Sequence, residues 1–227
     1  MSPERFARIK QVLASRQTDL TVLMEEVHKP HNVSAIVRTA DAIGIHKVHA
    51  VWQENPALRK GTALGSELWV RMQQHDSTEH AIAHFKSQGM QVLVTHLDEN
   101  AVDFREPDYS LPTAIIMGQE KDGATEAAVE AADQSIIVPM VGMVQSLNVS
   151  VATAIILYEA QRQRSLKGAY QEANLPEDEV QEILFRGGFP VLYRECRKRN
   201  IPFPNVGPDG CIDAPKSWWQ TLQFSDS

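Results

Sequence analysis

The chain has 227 residues, 43% of them hydrophobic and 22% charged, with a formal net charge of −7. That composition excludes a disordered polymer, and the length allows one core that buries roughly 70% of the unfolded surface. No stretch of about 18 apolar residues occurs, so no helix is expected to span a membrane. The two cysteines, Cys196 and Cys211, exclude a disulfide scaffold. The first sixteen residues, MSPERFARIKQVLASR, lack the apolar run of a secretory signal, so a cytoplasmic protein is expected.

A negative total charge argues against a nucleic-acid partner. Charge acts in patches, however. Arg5, Arg8, Lys10 and Arg16 stand against Glu4 alone, and Arg194, Arg197, Lys198 and Arg199 cluster beside Glu195. Acidic residues gather in 98–108, 120–133 and 172–182. The ends are basic and the middle acidic, which fits either solvated helix faces or two phosphate-binding patches.

In chain order, Pro3–Arg16 has the spacing of an amphipathic helix, with Phe6, Ile9 and Leu13 on one face. Leu20–Met24 is a short apolar run. Asn32–Ile43 has helical spacing and should stop at Gly44. Lys47–Trp52 alternates like a strand, and Trp69–Met72 is a weaker strand candidate. Thr78–Gln88 reads as a helix, Met90–Thr95 and Thr113–Met117 as buried strands, and Glu126–Asp133 as a helix. Ser135–Pro139 reads as a strand and Val149–Arg164 as a long helix. Beyond residue 165, six prolines punctuate short pieces, of which Leu175–Phe185 and Pro190–Arg199 suit helices. Strands alternating with helices predict an α/β fold, a mostly parallel sheet with helices on both faces. Ligands of such sheets gather at the carboxyl ends of the strands. Those ends are the loops after Thr95, Met117 and Pro139.

Several motifs are absent: the glycine-rich dinucleotide and P-loop signatures, HExxH, and the GxSxG elbow. His28 with His31, and His46 with His49, have three-residue spacing. Solvated or hydrogen-bonded histidines are the expected roles, and no metal site is expected. Three segments remain. In HNVSAIVRTADAIG, Asn32 stands at an expected helix start, where it suits an N-cap. Arg38 interrupts an apolar run, either as a snorkelling side chain or as a phosphate-gripping fork. In IIMGQEKDG, Gly118 permits close backbone approach and Glu120 falls at a strand's carboxyl end, as a ligand group or an ordinary polar residue. In IIVPMVGMVQSLNVS, the loop is unusually apolar and requires a cover. It leads through Ser146, Leu147 and Asn148 to a helix start, where unpaired N–H groups are available.

Taken together, HNVSAIVRTADAIGIHKV, IIMGQEKDGATE and IIVPMVGMVQSLNVSVATAIILYE resemble the three ordered motifs of the SpoU branch of the SPOUT methyltransferases. The resemblance covers roughly residues 20–161. It implies a methyltransferase domain over 20–164 ending in a deep trefoil knot, which periodicity does not reveal. It leaves a basic helical extension at 1–19 and a helical or irregular one at 165–227. It implies S-adenosyl-L-methionine as methyl donor and a homodimer with the active site at the subunit interface. By motif position, Asn32 and Arg38 match the family's first catalytic pair. Glu120 matches the second-motif carboxylate, and Ser146 and Asn148 the third-motif polar pair. Donor contacts are expected at Thr95, Gly118, Val138, Met140 and Leu147.

The short flanks fit the tRNA-directed members, which methylate the ribose 2′-hydroxyl of guanosine 18 in the D-loop. Only about twenty residues precede the first motif, too few for the separate RNA-binding domain of many ribosomal RNA enzymes. Arg5, Arg8, Arg16, Arg194, Arg197 and Lys198 are the expected phosphate contacts. Three alternatives stay open: the same chemistry on ribosomal RNA, a non-catalytic RNA-binding factor of this fold, and an α/β enzyme acting on a small metabolite.

Overall fold

The computed structural model describes residues 1–52, 69–119 and 121–223. They divide into two compact units, residues 17–172 and residues 1–16 together with those from 173 onward. Of the two expected flanking extensions, 1–16 and the residues from 173 onward belong to one unit, whereas 17–19 and 165–172 belong to the larger one.

The larger unit is built on seven strands: β1 (Leu20–Glu25), β2 (Lys47–Val51), β3 (Arg71–His75), β4 (Gln91–Thr95), β5 (Val102–Asp103), β6 (Thr113–Met117) and β7 (Gln134–Ile137). They form one sheet in the order β3-β2-β1-β6-β4-β7-β5, and every ladder in it is parallel. Successive side chains of a strand point to opposite faces. Leu20, Val22 and Met24 of β1, with Ile115 and Met117 of β6, enter one core. That core also holds Val33, Ile36, Val37 and Ala40 of α2 (Pro30–Ala42). Ile156, Leu157 and Ala160 of the long C-terminal helix of this unit (Val149–Leu166) complete it. Leu23, Ala114, Ile116, Val92 and Val94 enter the opposite core, under Ala81, Ile82 and Phe85 of α3 (Thr78–Ser87) and Ala128 of α4 (Glu126–Ala131). Helices thus cover both faces, as the apolar strands predicted.

Several boundaries differ from the sequence reading. α2 starts at Pro30, with Lys29 as its N-cap, so Asn32 lies inside the first turn rather than at the cap. Proline is favoured at the first helical position, where its missing N–H costs nothing, and it pushes the preceding residue out of the helical region. At the other end Gly44 adopts φ +87°, beyond the helix, as expected. β3 lies at Arg71–His75 rather than Trp69–Met72. It is an edge strand of mostly polar side chains, so pairing with β2 sets its position and hydrophobicity does not signal it. The two-residue β5 was too short to leave any pattern.

Arg164, fully buried in the C-terminal helix of this unit, ties three chain segments together. Its guanidinium donates to the Gln17 side chain (2.8 Å), Asp19 Oδ1 (2.6 Å) and the carbonyls of Tyr109 (2.8 Å) and Leu111 (3.0 Å). A buried arginine is tolerable because each side of its fork is paired.

The second unit begins with α1 (Pro3–Ala14), capped by Ser2. With the long helix at Val149–Leu166 taken as α5, the unit continues with α6 (Glu177–Gly188), α7 (Pro190–Arg199), the antiparallel pair β8 (Asn205–Val206) and β9 (Ile212–Asp213), and α8 (Lys216–Gln223). Phe185, Phe189, Tyr193, Phe203 and Trp218 make ring contacts that organise it. Arg5 donates twice to the Gly187 carbonyl (3.0 and 2.7 Å), satisfying the end of α6.

Candidate active site

β6, β4 and β7 are neighbours in the sheet, and their carboxyl ends carry three of the residues expected to meet the methyl donor. Thr95 ends β4, Gly118 follows β6 and Val138 follows β7. The Thr95 hydroxyl donates to the Ile116 carbonyl (3.1 Å) and so fastens β4 to β6. Gly118 is buried, and a Cβ there would stand 2.2 Å from the backbone of Gly123 and Ala124. The loop leaving β6 folds back directly over it, which is the physical reason for glycine. Met140 and Leu147, also expected at the donor, are half-buried in the loop after β7.

The first and third motifs meet through two asparagines. Asn32 is buried in α2, and its Oδ1 accepts a hydrogen bond from Asn148 Nδ2 (3.2 Å). Asn148 is the N-cap of α5, and its Oδ1 accepts from the Ser150 amide (2.8 Å) and hydroxyl (2.7 Å). A single amide therefore caps one helix and holds another. Arg38 lies six residues beyond Asn32 on α2 and is exposed. Among the described residues its guanidinium has no hydrogen-bond or ion-pair partner, which leaves five donors for an incoming anion. Ser146 is exposed in the third-motif loop. Glu120 lies outside the described residues.

That loop is the apolar one. Val141, Met143 and Val144 are exposed, and Val151, Ile155 and Tyr158 continue an exposed apolar stripe along α5. Their spacing of four and three residues puts them on one helix face. Large contiguous apolar patches of this kind mark interaction sites.

Of the expected phosphate contacts, Arg5, Arg8, Arg194, Arg197 and Lys198 are exposed. Arg16 is fully buried, which corrects its place in that set: it follows the helix Pro3–Ala14 and is packed away from solvent. Among the described residues, no group of three or more His, Cys, Asp or Glu side chains is arranged to hold a metal ion. His46 lies just before β2 and His49 within it, and both are buried. His49 meets His75 (Nδ1 to Nε2, 2.7 Å) and packs against His84 and Phe85. Burial first, then the nearby charges of His75, Lys47 and His84, push the His49 imidazole down to about 3.

Sequence reasoning passed over Glu25. It is a carboxylate 1% exposed at the end of a strand whose other five residues are buried as well. A charge closing an otherwise uncharged strand was the available signal.

An all-parallel sheet, covered on both faces, with a buried loop glycine at its carboxyl edge and paired asparagines joining two helix starts, defines an α/β protein with a ligand site at its strand ends. The comparisons carry this further. Residues 19–158 match the SpoU rRNA Methylase family, and residues 162–215 match its SpoU, rRNA methylase, C-terminal family. The chain belongs to the SpoU methylase family. It is 58% identical to the tRNA (guanosine(18)-2'-O)-methyltransferase of Escherichia coli (strain K12), over 98% of this chain and 99% of that protein. The crystal structure of the A. aeolicus TrmH/SpoU tRNA modifying enzyme superposes with a TM-score of 0.73 at 44% identity, covering 81% of this chain and 94% of that one. An AdoMet-bound rRNA methyltransferase from Sinorhizobium meliloti superposes with a TM-score of 0.56 at 30% identity, covering 67% and 59%.

Proposed function

We propose that this protein transfers the methyl group of S-adenosyl-L-methionine to the ribose 2′-hydroxyl of guanosine 18 in the D-loop of tRNA. The observation that carries the reading is the Asn32–Asn148 contact, which joins the first and third family motifs at the sheet edge. End-to-end similarity to a tRNA (guanosine(18)-2'-O)-methyltransferase supports the substrate, over ribosomal RNA in particular. The residues present fit the donor. Apolar Val138, Met140 and Leu147 suit an adenosine and a methionine chain, and the strand ends at Thr95 and Gly118 offer backbone groups. Bound S-adenosylmethionine supplies a methyl group made electrophilic by its sulfonium.

Arg38 grips the phosphate beside the target ribose and orients the hydroxyl. The guanidinium grips and does not act as the base, because it offers donors only and no lone pair to take a proton. The hydroxyl proton leaves through phosphate or water. Asn32 fixes Asn148, and with it the start of α5 and the Ser146–Asn148 segment, so the amide pair acts by positioning. Glu120 completes the substrate-orienting set from the second-motif loop.

The exposed stripe of Val141, Met143, Val144, Val151, Ile155 and Tyr158 is the face of a homodimer, and a second copy of this chain covers it. The trefoil knot belongs to the same reading and rests on family membership. So does RNA binding by the flanking segments 1–19 and 165–227, through Arg5, Arg8, Arg194, Arg197 and Lys198. A tRNA substrate places the protein in the cytoplasm, and no helix among the described residues is long and apolar enough to cross a membrane.

The test is transfer of labelled methyl to unmodified tRNA transcripts, with a 2′-deoxyguanosine at position 18 as control. Label on the first that vanishes on the second is the expected result. Label persisting on the deoxy transcript moves the target within tRNA, and label appearing on ribosomal RNA alone overturns the substrate.

A further inference from the structure

The buried carboxylate of Glu25 receives three donors. Its Oε1 accepts from the hydroxyls of Thr78 (2.7 Å) and Thr125 (2.7 Å), and its Oε2 accepts from the Thr125 amide (2.9 Å). Thr78 is the first residue of α3 and Thr125 is the N-cap of α4. The first turns of two helices therefore reach one carboxylate, α3 through a hydroxyl and α4 through a hydroxyl and a backbone N–H. A buried charge without such partners would be costly. Here it fastens the end of β1 to the starts of two helices on one face of the sheet.

Thr125 is also the far end of the second-motif loop, and the described residues of that loop are held by their own backbone. Gln119 and Gly123 exchange both backbone hydrogen bonds (3.1 Å each), closing a small hairpin. Gly123 sits at φ +75°, a conformation that favours glycine. The backbone of Gly123 and Ala124 occupies the space where Gly118 would carry a Cβ. A displacement of Thr125 is thus transmitted through residues 123–124 to Gly118. On its other side Glu25 is followed at once by the segment leading into α2, which bears Asn32 and Arg38.

We infer that Glu25 is a positioning residue for methyl transfer: by anchoring Thr125 it sets the second-motif loop at the donor site relative to the first-motif helix. This rests on reading Gly118 as a donor contact. Glu25 touches neither substrate and acts through the loop. The Gln119–Gly123 hairpin fixes the shape of the loop, and Glu25 fixes its place. Replacing the carboxylate by an amide removes the charge and one of the two acceptor oxygens, so Glu25→Gln keeps volume and weakens the anchor.

The experiment uses the full chain and measures S-adenosylmethionine binding by calorimetry, with steady-state constants for donor and tRNA and thermal unfolding. Glu25→Gln is expected to weaken S-adenosylmethionine about tenfold or more while the KM for tRNA stays within about twofold. Thr125→Val should weaken the donor similarly, the double variant should add little, and Thr125→Ser, which keeps the hydroxyl, should restore it. A lowered unfolding temperature with unchanged donor affinity in these variants assigns Glu25 to scaffold support and overturns the inference. Equal losses for donor and tRNA overturn it too. If Glu25→Gln fails to fold, the Thr125→Val and Thr125→Ser pair decides. Gly118→Ala separates the two readings. No effect of that change on donor affinity removes the loop from the donor site. An effect of Gly118→Ala with none from Glu25→Gln removes only the positioning role.

Discussion

The loop from Gly118 to Thr125 and the loop from Val138 to Asn148 both leave the carboxyl edge of the sheet, from strands flanking β4. The first is closed by its own backbone bonds, sealed over a glycine and anchored by a buried carboxylate. The second makes no backbone–backbone hydrogen bond among the described residues between Met140 and Leu147, and it holds Val141, Met143 and Val144 out to solvent. The described residues of the first loop are held within this chain. The other is hydrogen-bonded at its two ends only, by β7 and by the Asn148 cap, and among the described residues nothing covers its apolar side chains. The contrast divides the proposed site into a part built in advance and a part that, on the proposed reading, a second copy finishes, and each part can be broken separately.

The largest effect is expected at Arg38, the exposed group proposed to grip the substrate phosphate. Arg38→Lys keeps the charge and loses the planar fork, and turnover on tRNA should fall by about a hundredfold or more, with donor affinity unchanged. Single-turnover kinetics with calorimetry for the donor checks this. Near-normal turnover in the lysine variant would sink the bidentate role.

The open loop is tested next. Val141→Asp with Met143→Asp places two charges on the apolar patch without touching either core. Sedimentation should then report a particle near the 25.4 kDa of one chain, against twice that mass for the parent protein. Methyl transfer should fall with the mass, because half of the proposed site is lost. A monomeric parent would remove the dimer from the reading, and a dimeric double variant would move the interface elsewhere.

A smaller and graded effect is expected from the second compact unit. Neutralising Arg8, Arg197 and Lys198, all exposed, should weaken tRNA at every sequence. The slope of log affinity against log salt should flatten by about 2 to 3 if each meets a phosphate. An unchanged slope takes these helices off the RNA.

Much of the built part was legible in the sequence because it follows from periodicity. The apolar runs at Leu20–Met24, Met90–Thr95 and Thr113–Met117 gave three central strands, and alternating faces gave two helical layers. Polar edges were not legible: β3 carries Arg71, Gln73, Gln74 and His75, and its position comes from pairing with β2. Asn32 was found but misplaced at a cap, since Pro30 draws the helix start back by two residues. Arg16 was read as surface because helical spacing does not show where the next turn of chain is covered. Glu25 went unremarked because its partners, Thr78 and Thr125, lie 53 and 100 residues away. Long-range hydrogen bonds leave no local pattern, and they hold the closed loop in place.

The smallest effect concerns the opposite end of the sheet from that open loop, at β2 and β3. His49 is held neutral, at about 3, by burial and by its neighbours, whereas an unfolded histidine titrates near 6.5. The unfolded chain therefore binds a proton that the native chain refuses. Stability from this group is full above about pH 6.5 and declines as pH falls toward 3, with a slope approaching about 1.4 kcal/mol per pH unit from one histidine. His75, lowered by burial and by the charges of His84 and His80, adds in the same direction. Denaturant unfolding between pH 7.5 and about 4.5 should show this decline, and His49→Gln, which cannot take up the proton, should flatten it. Donor affinity at the closed loop should follow neither change, because Glu25 and Thr125 lie outside the histidine cluster. A slope that survives in the glutamine variant would assign the acid sensitivity to other groups, and a parallel loss of donor affinity would mean that the closed loop depends on the β2–β3 edge.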